Sequence, residues 1–132
     1  MVKNRTKKPR KDEKSDSTQH QTVLVDVSFP GFLISLESLD SVVQERVLTT
    51  IEKIQQMTWQ DVYQTSSKTP GQKRGINFEP IDQRTRSGIR IATIRISQKI
   101  RARVCRREQF MIFISLHQDH DSAYKTKGGE DI

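Results

Sequence analysis

GIRIATIRISQKIRARV, residues 88–104, alternates apolar and polar side chains on either side of a short polar interruption, and its register decides the fold. Strict alternation is the mark of a strand with one buried face. Ile94 and Ile96 fall on the core face of one strand, and Ile100, Ala102 and Val104 on that of the next. A three-residue turn at Ser97-Gln98-Lys99 pairs Ile96 with Ile100 and Ile94 with Ala102. A two-residue turn would set the isoleucines against Lys99 and Arg101. Because a one-residue slip turns every side chain to the opposite face, the apolar pattern selects the longer turn. The same register sets Arg95 opposite Arg101, and Thr93 opposite Arg103, on the other face. Two like charges facing each other cost free energy unless an anion lies between them, which marks a phosphate site.

The surroundings strengthen that reading. From Arg84 to Arg107 the chain holds nine Arg or Lys residues and no Asp or Glu. Guanidinium forks match phosphate oxygens in pairs, so nucleic acid is the natural ligand class, and the plain alternative is a solvated sheet face that happens to be basic. The whole chain of 132 residues fits one domain plus a tail, with a formal net charge of +7. Residues 1–20 carry seven Lys/Arg against three Asp/Glu, so they supply +4 of that charge. They contain no large apolar residue beyond Met1 and Val2 and are expected to be a disordered basic tail. Basicity in the rest is therefore local, as a binding face requires. Cys105 is the single cysteine, which excludes an internal disulfide and a cysteine-based metal site. No stretch approaches the ~18 apolar residues of a membrane span, and a cytoplasmic location without membrane contact is expected.

Outward from the hairpin, TVLVDVSF (residues 22–29) is rich in β-branched residues and reads as a first strand, punctuated by Pro30-Gly31. Leu36, Leu39, Val43, Val47, Ile51 and Ile54 are spaced by three and four, an apolar helical stripe that needs a sheet to pack on. Ser41 and Gln44 suggest a capping box dividing it into a short helix and a longer one from Val42 to about Met57. Thr58–Tyr63 adds a helical turn over Trp59, residues 64–75 read as a loop, and Ile76–Ile81 is a short extended piece that Pro80 confines to an edge or an ending. A polar turn over 82–88 follows. Phe110–His117 (FMIFISLH) forms the last strand, with Phe110, Ile112, Ile114 and Leu116 on one face and Met111, Phe113, Ser115 and His117 on the other. The expected fold is α+β: an N-terminal strand, a helical hairpin, then a three- to four-stranded antiparallel sheet. The expected divisions are the tail over 1–20, one domain over 21–126 and a disordered end over 127–132.

After that strand, His117, His120 and Tyr124 are interleaved with Asp119 and Asp121. His-x-Asp-His-Asp suits a metal cluster in residue type, or a plain polar turn, or acid–base chemistry beside the arginines. RNA cleavage by its own 2′-hydroxyl needs a base, an acid and fixed cations for the phosphorane. Arg95, Arg101, His120 and Tyr124 make up that set with no metal or cofactor.

Taken in order, these segments resemble the RelE/ParE superfamily of bacterial toxin–antitoxin toxins over about residues 29–124. FPGFLISLESLDSVVQERV is similar to the family's paired helices, INFEPI to its extended segment, and RISQKIRARV to its hairpin with arginines at Arg95 and Arg101. HDSAY resembles the terminal motif of a subset, at His120, Asp121, Ala123 and Tyr124. The resemblance implies a small cytoplasmic toxin that cuts mRNA, often at the ribosome, and is neutralised by a cognate antitoxin protein. It implies that Arg95 and Arg101 hold phosphate, that His120 is general acid or base, that Tyr124 stacks on or orients a base, and that Asp121 orients His120. Arg90, Lys99 and Arg103 would add RNA contacts. The alternatives are a ParE-like inhibitor of DNA gyrase that cuts no RNA, and a degenerate or purely RNA-binding relative; a shared fold does not choose between them.

Overall fold

The computed structural model describes residues 20–65 and 75–132. The expected basic tail, save His20, and most of the 64–75 loop lie outside the described residues. The elements run β1 (Leu24–Asp26), α1 (Pro30–Glu37), α2 (Ser41–Ile54), α3 (Trp59–Gln64), β2 (Glu79–Arg84), β3 (Arg90–Arg95), β4 (Arg101–Arg107), β5 (Phe110–His117) and α4 (His120–Lys125). Five strands form one sheet in the order β1-β5-β4-β3-β2. The chain is α+β, but the sheet is mixed rather than antiparallel throughout. β1 lies parallel to β5, pairing Leu24 with Phe110 and Asp26 with Ile112, because the crossover through α1, α2 and α3 carries the chain back to the same end of the sheet.

The helical stripe packs as its spacing requires. Leu39, Val47, Ile51 and Ile54 are buried, with Leu36 and Val43 packed on them, against Ala92, Ile94, Ala102, Val104, Met111 and Phe113 of the sheet. The cap differs from expectation. Asp40, not Ser41, closes the N-terminus of α2, its carboxylate accepting from Val43 N at 3.0 Å, while Gln44 donates to Leu36 O at 2.8 Å and ties the two helices together. A carboxylate does this better than a hydroxyl because it also meets the positive end of the helix dipole. Pro30 does not end a segment; it opens α1 at the first helical position, where its missing N–H costs nothing. Pro80 sits within β2, an edge strand, and residues 82–84 extend that strand where a polar turn was expected.

The β3–β4 register is the one the apolar pattern selects: Ile94 faces Ala102, Arg95 faces Arg101, Thr93 faces Arg103, and Ile96 N donates to Ile100 O at 2.9 Å. The alternation expected for FMIFISLH fails halfway. Arg103 pairs with Ser115 but Val104 pairs with Phe113, leaving Ile114 as the extra residue of a β-bulge. Met111, Phe113 and Leu116 therefore face the helices, whereas Ile112, Ile114, Ser115 and His117 face away from them. The far side is not simply polar: Ile81, Ile91, Cys105, Ile112 and Ile114 form a second buried cluster there.

The chain's end is built in as well. Gly129 N donates to Arg84 O at 2.7 Å, Arg86 N to Glu130 O at 2.7 Å and Ser87 N to Ile132 O at 3.3 Å, while Ile132 packs on the second cluster. An end expected to be disordered is held along the β2–β3 turn.

Candidate nucleic-acid interface

On the face away from α1 and α2, the register lines up Arg95, Arg101 and His117 across β3, β4 and β5, with Thr93, Arg103 and Ser115 in the next row. His117 joins this row because of the bulge; unbroken alternation would have turned it toward the helices. One arm of Arg101 donates to the carbonyls of Ser97 at 2.8 Å, Gln98 at 3.2 Å and Ile100 at 3.2 Å, so the β3–β4 turn holds the guanidinium in place. Partial burial and then the charge of Arg95 weaken Arg101's hold on its proton, with Tyr124 and Glu79 acting in the opposite sense. Arg101 is thus within electrostatic reach of Arg95, Tyr124 and Glu79 together, and Arg95 presses on it as a like charge.

The two arginines also border a cleft of about 530 Å³ between α2 and the β3–β4 turn, lined by Arg46, Thr50, Lys53, Ile76, Arg95, Ser97, Gln98 and Arg101 among others. Among the described residues that line it, four are cations and none is an acid. Arg46, Thr50 and Lys53 share one side of α2 because positions four and three apart stack along a helix. Arg46 and Lys53 are not among the site residues expected from the sequence. The available signal was their spacing of seven, which gathers the two cations on one side whatever the helix's net charge.

Arg103 was expected on an open face. Its side chain is 1% exposed and pairs with Glu130 at 2.7 Å. Its Nε donates to Gln83 Oε1 at 3.0 Å and its Nη1 to Ser115 Oγ at 3.0 Å. Gln83 in turn donates to the carbonyls of Ala123 and Tyr124, fixing the last turn of α4. Burial pushes Glu130 up, but the hydrogen bond and charge of Arg103 outweigh it and hold the carboxyl below its ordinary range. His117 closes the network, its Nε2 bonded to Ser115 Oγ at 2.8 Å and its Nδ1 to Ser122 Oγ at 2.7 Å. Burial, then the charge of Arg103, lowers its pKa below the usual value, against the pull of Asp119 and Glu130. A neutral imidazole, one nitrogen donating and the other accepting, suits two hydroxyl partners.

His120 opens α4, and its side chain lies outside the described residues. Tyr124 is one turn further along the same helix and 40% exposed. Asp121 is exposed in the first turn; Asp119 caps the helix, accepting from Ser122 N at 2.7 Å. Lys99 is exposed at the tip of the β3–β4 turn. Arg90 is apart from the cleft, about 17 Å along β3 from Arg95 by strand rise, and donates to Ile81 O at 2.6 Å. Among the described residues no group of three or more His, Cys, Asp or Glu is arranged to hold a metal ion. No helix among them is long and apolar enough to cross a membrane.

Set against protein-family models, curated proteins and solved structures, the chain matches none.

Proposed function

We propose that the chain is a toxin of the RelE/ParE kind, an endoribonuclease that cleaves mRNA without a metal, working at the ribosome and restrained by a cognate antitoxin protein. The single observation that carries the reading is the cleft, where Arg46, Lys53, Arg95 and Arg101 converge with no acid among the described lining residues. A phosphodiester relieves the repulsion of Arg95 and Arg101, and the turn carbonyls engage only Nη1 of Arg101 among the described residues, so its other N–H groups can serve phosphate. In the proposed reaction the substrate's 2′-oxygen attacks phosphorus as the P–O5′ bond breaks. A base takes the 2′-hydroxyl proton and an acid protonates the departing O5′, leaving a 2′,3′-cyclic phosphate and a 5′-hydroxyl. Arg95 and Arg101 stabilise the charge on the phosphorane oxygens. His120 and Tyr124, a turn apart on α4, are assigned the proton transfers and the orientation of the base, with Asp121 supporting His120.

A second reading, RNA binding without turnover, draws support from His117. The one imidazole in the arginine row has both nitrogens engaged by serine hydroxyls, so it is poorly placed to move a proton.

Expression of the wild type beside Arg101→Ala, with mapping of mRNA 5′ ends, separates these readings. The expected result is discrete new ends from the wild type and a loss of about 10²–10³-fold in the variant, the usual cost of one donor to a developing oxyanion. RNA retention without new ends would favour the binding reading. Intact transcripts with DNA damage would replace both with the gyrase inhibitor.

A further inference from the structure

We propose that Arg103 is a second anion site on the same face, filled in this structure by the chain's own Glu130, and that an RNA phosphate reaches it by displacing the segment 127–132. This rests on the reading of the face as an RNA surface, and adds a ligand site and a gate that the open cleft does not contain.

Arg103 follows Arg101 by two residues on β4, so the two guanidinium groups leave the sheet on one side, about 7 Å apart by strand rise. One is open to the cleft and the other is shut beneath the chain's end. The closure is a single contact rather than a fork. Glu130 Oε2 accepts from Arg103 Nη1, whereas Glu130 Oε1 and Arg103 Nη2 are both buried with no hydrogen-bond partner among the described residues. An RNA phosphodiester, with two non-bridging oxygens, can take Nη1 and Nη2 at once, a pairing this carboxylate leaves half made. The site is thus built for an anion and occupied by an imperfect one.

The covering segment has the features of a clasp. Gly128 and Gly129 both have φ of +83°, and a Cβ at Gly128 would lie 2.6 Å from Arg84 O. The segment can approach β2 only because residue 128 is glycine. Three backbone hydrogen bonds, the partly buried Ile132 and an exposed Arg86–Asp131 pair at 3.8 Å supply the remaining hold. Exposed pairs contribute little, and few buried apolar contacts back the segment, so it belongs to the parts of a fold that open locally. Opening removes a carboxylate and uncovers a guanidinium, so closure and RNA phosphate compete for Arg103.

The test uses the full chain, a fluorescein-labelled single-stranded oligouridylate and amide exchange. Glu130→Gln weakens the clasp without changing its size, and Gly128→Ala forces the segment away without touching a charge. Each is expected to bind the oligonucleotide about tenfold more tightly than wild type, with the salt slope unchanged because the same phosphates are contacted once the segment is displaced. Adding Arg103→Met should erase the gain. In the wild type, RNA should speed exchange at the amides of Gly129 and Arg86. Lower melting temperatures with unchanged affinity, or exchange indifferent to RNA, would make the segment a structural brace and end the proposal. If the wild type and variants all fail to bind RNA, the functional reading falls separately. Tripolyphosphate then decides the anion site alone: faster exchange at Gly129 upholds it and unchanged exchange refutes it.

Discussion

Arg101 and Arg103 stand two residues apart on one strand and on one face, yet their surroundings are opposite. Arg101 borders an open cleft among other cations and has its position set by backbone carbonyls. Arg103 is buried, with a carboxylate, an amide and a hydroxyl around it. The strand treats both alike. What separates them is the bulge at Ile114, which brings Ser115 and His117 to that face, and the chain's end, which brings Glu130. A basic run therefore does not define a binding surface by itself; the elements that cover it divide the run into ligand site and structural network.

Substitutions should split along the same line. Arg103→Ala leaves Gln83, Ser115 and the partly buried Glu130 without their shared partner and is expected to cost about 2–4 kcal/mol of stability in denaturant unfolding. Arg101→Ala gives up hydrogen bonds at a partly solvated site and should cost only about 1 kcal/mol while weakening RNA binding. Equal stability losses would erase the distinction.

Acid should strike the buried network first. His117 has its pKa lowered in the fold, so its contribution is complete above about 6.5 and is lost as pH falls toward the folded value. Glu130 is also lowered, so its contribution holds above about 4.3 and disappears as pH falls through its folded value. Stability should decline from pH 7 to pH 3 in wild type, with the part of the decline below about pH 4.3 flattened in Glu130→Gln. A profile flat over that range would contradict the network.

Cys105 sharpens the comparison from beneath the clasp. It is wholly buried in the cluster against which Ile132 packs, and burial pushes its thiol up to about 11. At pH 8 it should resist thiol reagents in the folded wild type and react measurably faster in Gly128→Ala. The smallest effect belongs to Arg106, which lies 4.4 Å above the Trp59 ring and donates to Tyr63 Oη at 2.7 Å. Arg106→Ala should cost about 0.5–1 kcal/mol.

Much of this was legible in the residues. The isoleucine spacing around Ser97–Lys99 set the hairpin register and brought Arg95 opposite Arg101, since the buried face permits one pairing only. The helical stripe on α2 was equally plain. The bulge was not, because FMIFISLH alternates without a glycine or any break, and only pairing with β4 reveals Ile114 as the extra residue. The parallel pairing of β1 was hidden because a lone short strand carries no mark of direction. KTKGGEDI read as a polar end because the glycines that let it approach β2 are the same residues that suggest disorder. Arg46 and Lys53 reach the cleft through a packing of α2 on the sheet that net charge cannot foretell.

The most direct measurement is the salt dependence of oligouridylate binding by wild type and Arg101→Ala over 50–200 mM salt, ranges in which phosphate contacts dominate the change in affinity. The expected result is linear log–log behaviour in both, with the variant's slope shallower by about 0.7, one phosphate contact on a single strand. Identical slopes and affinities would show that the cleft arginine touches no phosphate, and the account of this face as an RNA surface would fail.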